Sequence, residues 1–345
     1  MTTFVTVGAG WRSQMFWRIA EGLDGVDCVG AVVRTPRELP VPAYGSLAEV
    51  DADFVVSAVS WEANPGVITE AVGRGLPVLA ETPPAKDAAA LRELWTAVGE
   101  SGLVQVAEQY LLMPAHAARQ AAVRAGLIGT PSQVQVSSTH LYHAVAMIRG
   151  LLGAGHGPVA VRATSTTAPL VNPLTRDGWT GDADPQPAET LIATLDFGDG
   201  LSGLYDFTDN QWHNQLRFRR LLVRGSHGEL RDDEIVRLTA PRTVVRTPLV
   251  RRQTGYDLDL DGFDTDTITL GGDVLYRNPY PGRRWSDEEI AIATLLDATA
   301  AWVRGEGPPP YPLAEGAQDH LIALAVQESA ETDRTVTTTV ESWGS

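Results

Sequence analysis

The chain has 345 residues, with 27 basic side chains against 43 acidic ones and a formal net charge of −16. Hydrophobic residues at 43% and charged residues at 20% describe a chain able to bury a core, which excludes wholesale disorder. The acidic balance excludes nucleic acid and anionic lipid as partners, because both need a basic surface. The first third alternates short β-branched runs with amphipathic stretches. Strands are predicted over Phe4–Val7, Cys28–Val33, Phe54–Val59, Pro77–Ala80 and Val104–Ala107. Helices are predicted over Arg12–Leu23, Pro65–Gly73 and Ala88–Val98, the last with Asp87 as N-cap. Continuous apolar strands alternating with helices imply an α/β Rossmann domain, a doubly wound parallel sheet, over residues 1–115.

Residues 116–345 change character. Strands over Ser132–Ser138, Leu191–Phe197, Leu201–Phe207, Leu221–Val223 and Ile235–Leu238, with a hairpin signal at Gly198-Asp199-Gly200, predict an α+β domain. Its sheet is expected to be largely antiparallel and open. Helices are predicted over Ala144–Leu152, Asp287–Val303 and Ala314–Thr332, and Pro/Gly-rich loops over 169–189 and 305–312. The run Asp257-Leu258-Asp259-Leu260-Asp261-Gly262 imitates a calcium loop. Ile268 stands where a bidentate carboxylate is needed, so a solvated acidic edge is the reading.

Cys28 is the only cysteine, which excludes a disulfide framework and a cysteine-based zinc site. The opening MTTFVTVGAG has no basic-then-apolar leader, and no apolar run approaches membrane-spanning length. The expectation is a soluble cytoplasmic protein with no membrane partner. Lys86 is the only lysine, so nearly all positive charge is arginine.

Gly8-Ala9-Gly10 lies at the first strand-to-helix junction. The first glycine permits the tight turn, and the second lets backbone approach a pyrophosphate at a helix N-terminus. Ser13 occupies the third glycine position. A bare βα turn is the alternative, but the placement favours a dinucleotide. The second strand is followed by Arg34, Thr35 and Arg37 instead of a ribose-binding carboxylate. A guanidinium pairs with a 2′-phosphate where a carboxylate repels it, so NADP(H) is favoured over NAD(H).

The N-terminal VGAG, then Leu79-Ala80-Glu81-Thr82-Pro83, Pro114 followed by Gly126-Leu127-Ile128-Gly129, His143 with Arg149 and Leu151-Leu152-Gly153, and a C-terminal helix before Thr335-Val336 occur in an order that resembles the glucose–fructose oxidoreductase / inositol dehydrogenase (Gfo/Idh/MocA) family. The resemblance spans nearly the whole chain. It implies a NAD(P)-dependent oxidoreductase whose nicotinamide and sugar-like substrate meet between the two domains. It also implies a homodimer or homotetramer assembled through the second-domain sheet, and a cis X–Pro bond in Thr82-Pro83-Pro84.

Departures from the pattern mark a divergent member. The lysine of the family's Glu-Lys-Pro stretch is Thr82, which offers a hydroxyl but no charge to stabilise an alkoxide. The stretch after the third strand reads Val59-Ser60-Trp61, the following family histidine is Asn64, the asparagine after the fifth strand is Gln109, and the aspartate beyond the active-site histidine is Ala146. The resemblance implies cofactor contacts at Gly8, Gly10, Trp11, Arg12, Arg34, Ser60, Trp61, Asn64, Glu81 and Gln109. Hydride transfer to or from a carbonyl or carbinol needs a proton donor or acceptor, and histidine suits that role.

His140-Leu141-Tyr142-His143 supplies candidates at a predicted strand-to-helix junction. Were the strand to continue regularly, His140 and Tyr142 would share one face and His143 the other. The resemblance favours His143 as acid/base, with Tyr142 and Thr82 as further catalytic candidates and His140, Tyr110 and His213 as substrate contacts. The sequence offers no metal site: His140 and His143 have the spacing but no cysteine or carboxylate ligand nearby. Thr82 tilts the reading towards reduction of a ketone or imine. The alternatives are a bound-NAD enzyme using transient oxidation for elimination or epimerisation, and a non-catalytic cofactor or metabolite sensor.

Overall fold

A computed structural model describes residues 1–35, 37–255 and 264–344. By packing density these form two compact units, and neither is continuous in sequence. The first comprises Met1–Ala117, Arg252–Thr267 and Arg277–Gln318; the second comprises Ala118–Arg251, Ile268–Tyr276 and Asp319–Ser345. The acidic stretch 257–262 lies outside the described residues.

The first unit opens with β1 (Thr2–Val7), α1 (Trp11–Ala20), β2 (Val26–Val32), β3 (Ala43–Tyr44), β4 (Phe54–Ser57), α2 (Asn64–Gly73), β5 (Val78–Ala80), α3 (Ala88–Val98) and β6 (Val104–Val106). Its six strands pair in the order β3-β2-β1-β4-β5-β6, and all are parallel. The order reverses between β1 and β4, which creates a crevice at the carboxyl ends of those strands. Buried apolar strands are covered by helices: Phe4 stacks on Phe54 at 5.4 Å, and Phe16, Trp17 and Ile19 of α1 are buried. The Trp17 indole N–H donates to Thr6 Oγ1 at 2.9 Å, which fixes α1 on β1. Asp87 caps α3 as expected, its carboxylate accepting from the Ala90 N–H at 2.9 Å. The short β3, absent from the sequence reading, is held beside β2 by the Val33 N–H donating to the Tyr44 carbonyl at 2.9 Å.

Beyond it the chain continues through α4 (Pro114–Arg124), β7 (Pro131–Ser137), α5 (Leu141–Leu152), β8 (Ala160–Leu170), β9 (Leu174–Thr175), β10 (Gly178–Trp179), β11 (Gln186–Gly198) and β12 (Leu201–Thr208). It proceeds through β13 (Arg220–Gly225), β14 (Gly228–Arg231), β15 (Glu234–Ala240), β16 (Thr243–Gln253), β17 (Thr265–Leu270), β18 (Asp273–Arg277), α6 (Asp287–Val303), α7 (Leu313–Thr332) and β19 (Val336–Thr337). Eleven strands pair in the order β18-β17-β16-β15-β14-β13-β7-β12-β11-β8-β19. The pairing is antiparallel between β11 and β12, whose turn is the predicted Gly198-Asp199-Gly200, and parallel between β12 and β7.

Several expectations are corrected. The segment 169–189 is not a plain loop: it holds the β9–β10 hairpin and ends in β11, which begins at Gln186. The strands β8, β14, β16, β17 and β18 and the helix α4 were not predicted. β7 stops at Ser137 and α5 starts at Leu141, so strand parity does not extend to the histidines. His140 is the N-cap of α5, and His140 and His143 are separated by one helical turn.

Candidate functional site

In the first unit a cavity of about 610 Å³ opens at the crevice between β1 and β4. Its walls include Gly8 and Ala9 from the glycine loop, Val32 to Thr35 and Arg37 after β2, Gly45 to Leu47 after β3, and Ala58 to Ser60 after β4. Gly8 has φ 103°, and a Cβ there would stand 2.4 Å from the Ala58 carbonyl oxygen, so the turn itself demands glycine. Gly10 is different: its backbone is extended, and a Cβ would meet nothing within 4 Å. The space above Gly10 is therefore not filled by protein.

Gly10 is also the N-cap of α1, where no side chain caps the helix and no acidic residue stands in the first turn. The N–H groups of a helix's first turn and the positive end of its dipole suit a pyrophosphate. The Arg37 guanidinium donates to the Ala9 carbonyl at 2.7 Å and steadies the glycine loop. Arg34 lines the cavity exposed, with no ion-pair partner among the described residues. The residues present thus fit a dinucleotide: an open cradle at Gly10, an uncapped helix, and an uncommitted guanidinium after β2.

Other candidate residues of this unit brace the loop after β5. Asn64 is 1% exposed and its carboxamide is fully engaged. It accepts from the Ser57 hydroxyl at 2.6 Å and donates to the Glu81 carbonyl at 2.9 Å. Arg12 Nε lies 2.6 Å from Glu81, with its Nη1 3.3 Å from Glu288. Burial opposes the Arg12 charge, yet Glu81, Glu288 and Glu108 together hold the guanidinium above its ordinary value.

Between these fixed points Thr82 is half-buried and joined to Pro83 by a cis peptide bond. Lys86 follows, exposed, with Nζ 3.7 Å from Asp87. Gln109 is buried, and its Oε1 has no hydrogen-bond partner among the described residues. Tyr110 is buried beside it, its N–H donating to Glu108 at 2.8 Å. Trp11 and Trp61 both stand about half exposed at the carboxyl edge of the parallel sheet.

The second unit gathers the histidines around the start of α5. The His140 ring packs on Phe207 with centroids 5.3 Å apart. Tyr142 is buried, edge-on to His143 at 5.4 Å and facing His320 of α7 at 6.1 Å. His143 is half-buried. His213 lies in the turn after β12, edge-on to Trp212 at 4.4 Å. Burial holds the His140 imidazole below its ordinary value, reinforced by His143, His213 and Arg176 and opposed by Asp209. α5 itself is anchored on α7 by a buried ion pair, Arg149 Nη1 to Asp319 at 2.6 Å. No group of three or more His, Cys, Asp and Glu side chains arranged to hold a metal ion occurs among the described residues. Among them, too, no helix is long and apolar enough to cross a membrane.

No protein-family model matches the chain, and no curated protein matches it. Solved structures do. An oxidoreductase from Agrobacterium radiobacter, in complex with NAD+, L-tartaric acid and magnesium, superposes with a TM-score of 0.70 at 15% identity, covering 97% of this chain and 98% of that one. A myo-inositol dehydrogenase from Corynebacterium glutamicum gives 0.66 at 20% identity, covering 98% and 99%. The WlbA dehydrogenase from Bordetella pertussis, in complex with NADH and UDP-GlcNAcA, gives 0.64 at 16% identity, covering 99% and 98%. Along nearly its whole length the chain therefore shares its fold with these dehydrogenases and NAD-binding oxidoreductases.

Within this fold, Gly8, Arg34 and Ser60 line the cavity, while Gly10, Trp11, Arg12, Trp61, Asn64, Glu81 and Gln109 are not among its lining and follow the carboxyl ends of strands of the same sheet. Three residues escaped the sequence reading. Ser46 and Leu47 reach the cavity because β3 pairs beside β2. Gln211 is 3% exposed and fastens the His213 turn to the end of β7, its Nε2 donating to the Ser137 carbonyl at 2.9 Å. None of the three is marked locally as a site residue; only a search for polar residues flanking the β12 turn would have raised Gln211.

Proposed function

We propose that this protein is a nicotinamide-dependent oxidoreductase acting on a sugar-like or cyclic ketone or imine, with NADP(H) preferred over NAD(H). The observation that carries the reading is the uncapped start of α1 at Gly10, directly after Gly8 and Ala9, which line a cavity at the sheet's switch point. The neighbours support the class: one is described with NAD+ and L-tartaric acid, one with NADH and UDP-GlcNAcA, and one is named for myo-inositol. In this reading the first unit binds the dinucleotide and the second holds the substrate and pairs copies of the chain.

When bound, the cofactor supplies hydride transfer. The chain's own residues then have distinct tasks. Gly8, Gly10 and the first N–H groups of α1 hold the pyrophosphate, and Arg34 pairs with a 2′-phosphate. Asn64 and the Arg12–Glu81 pair set the loop that carries Thr82. His143 donates or accepts the proton at the reacting oxygen or nitrogen, assisted by Tyr142. Thr82 contributes a hydroxyl without charge, which suits reduction, where a proton donor matters more than alkoxide stabilisation. His140, His213 and Tyr110 contact the substrate.

Fluorescence titration with NADPH and NADH, followed by a screen of ketosugars and cyclic imines for NADPH consumption, tests the reading. Arg34→Ala is expected to weaken NADPH binding about tenfold and leave NADH unchanged. His143→Ala is expected to lower turnover by about a hundredfold or more. Failure to bind either nucleotide overturns the dinucleotide assignment, and full turnover in His143→Ala overturns the acid/base role. Nucleotide binding without turnover of any substrate favours the sensor alternative, to which the uncharged Thr82 also points.

A further inference from the structure

β8 and β12 run in the same direction, so the β9–β10 hairpin that follows β8 and the turn that follows β12 lie at one end of the large sheet. Amide side chains fasten the two together. Asn210 Nδ2 donates to the Leu174 carbonyl at 3.1 Å, and Asn214 Nδ2 to the Val171 carbonyl at 2.8 Å. Further bonds fix the turn itself. Gln211 Nε2 donates to the carbonyls of Ser137 and Phe218, both at 2.9 Å, and the Leu216 N–H donates to Asn214 Oδ1 at 2.9 Å. Arg219 donates to the Trp212 carbonyl at 2.8 Å, with its guanidinium over the Trp212 ring.

The large side chains on this framework are nonetheless turned out to solvent. Phe218 is 85% exposed, Leu216 58%, and Trp179 on β10 70%. Apolar groups of that size, on backbone already fixed by hydrogen bonds, offer area to bury and little conformational entropy to lose. The charges beside them identify what covers them. Residues 174–184 carry Asp177, Asp182 and Asp184 against Arg176 alone, whereas residues 210–220 carry Arg217, Arg219 and Arg220 and no acidic residue. Arg220 is paired with Asp206, but none of Asp177, Asp182, Asp184, Arg217 and Arg219 makes an ion pair among the described residues. Opposite charges thus stand on neighbouring segments without neutralising each other. A partner surface of either sign answers one segment and is repelled by the other. A second copy of the chain, related by a two-fold axis, sets hairpin against turn and turn against hairpin at once.

We propose that the hairpin and the Phe218 turn form a two-fold contact between copies of this chain. Trp179 and Phe218 pack against the neighbouring copy, and the aspartates of each copy meet the arginines of the other. The proposal rests on the reading that the second unit pairs copies of the chain, and it adds a contact separate from the sheet. Three large side chains cover far less than the roughly 800 Å² per partner of a stable interface. The contact therefore forms between copies already joined elsewhere and turns a dimer into a tetramer. It also braces the turn that carries His213.

Light scattering and sedimentation velocity of the full chain test this. The parent is expected to be a tetramer. Phe218→Ser, at a position too exposed to matter for folding, is expected to leave a dimer, with dimer–dimer association weakened about tenfold or more. Reversing the hairpin (Asp177→Arg with Asp184→Arg) or the turn (Arg217→Glu with Arg219→Glu) is expected to do the same, and combining the two reversals to restore the tetramer. Far-UV circular dichroism checks that each variant is folded; Phe218→Ser and the hairpin reversal decide the matter where the turn reversal fails to fold. A dimeric parent, a tetramer that survives Phe218→Ser and the hairpin reversal, or a folded combined reversal that stays dimeric overturns the proposal and leaves pairing through the sheet intact. A monomeric parent overturns that pairing as well.

Discussion

A Cβ on Gly8 would stand 2.4 Å from the Ala58 carbonyl at a φ of 103°, whereas one on Gly10 would meet nothing within 4 Å. The two glycines therefore separate folding from binding. Gly8→Ala is expected to destabilise the protein by about 1–3 kcal/mol, because backbone must move to admit the methyl group. Gly10→Ala is expected to leave the melting temperature unchanged and weaken NADPH binding about tenfold, since the methyl group takes space a pyrophosphate needs. Thermal melts and nucleotide titration of both variants check the contrast. Asn64 makes the complementary point. Standing where the resembled family has a histidine, it spends its whole carboxamide on Ser57 and the Glu81 carbonyl, so its contribution to the site runs through the backbone of the Thr82 loop.

Helix α6 begins with a capping box: Ser286 accepts from the Glu289 N–H, and the Glu289 carboxylate accepts from the Ser286 N–H at 2.7 Å. Burial raises the Glu289 carboxyl, but the Ser286 bonds and the Arg18 guanidinium outweigh it and hold the group below its ordinary value. A carboxyl depressed in the folded state stabilises above its unfolded pKa, and that contribution fades as pH falls through the folded value. Ser286→Ala is expected to cost about 1 kcal/mol at neutral pH, and less in acid, by denaturant melts at both. Such caps explain which elements were legible. α3 falls on its predicted bounds because Asp87 marks its start; α6 does so too, and its Ser286 cap is a feature the sequence reading did not use. β8 was missed because Ala160–Leu170 is rich in Thr and Ala and contains Pro169; its identity comes from pairing along its whole length with β11. The same limit applies to the site. Gly8 and Gly10 announce themselves locally, while Ser46 and Gln211 are recruited by strand pairing and by hydrogen bonds across the turn.

The eleven-stranded sheet keeps one face on a core of Ala193, Leu195 and Ile235. Its other face is open. There Leu238 and Val244 oppose each other across β15 and β16, at 47% and 67% exposure, and Ile192 is exposed on β11. Apolar side chains left on an open sheet face favour association between copies. Light scattering after size exclusion is expected to show a dimer or tetramer, and Leu238→Arg with Val244→Arg to shift it to monomer; a monomeric parent removes the idea. At the same scale, the exposed Lys86 offers a use of its own. Apart from the N-terminus it is the only amine in 345 residues, and it sits just beyond Thr82 and beside the cap of α3. An amine-reactive dye would thus mark one side chain per subunit, placing an optical reporter beside the loop on which the proposed chemistry depends.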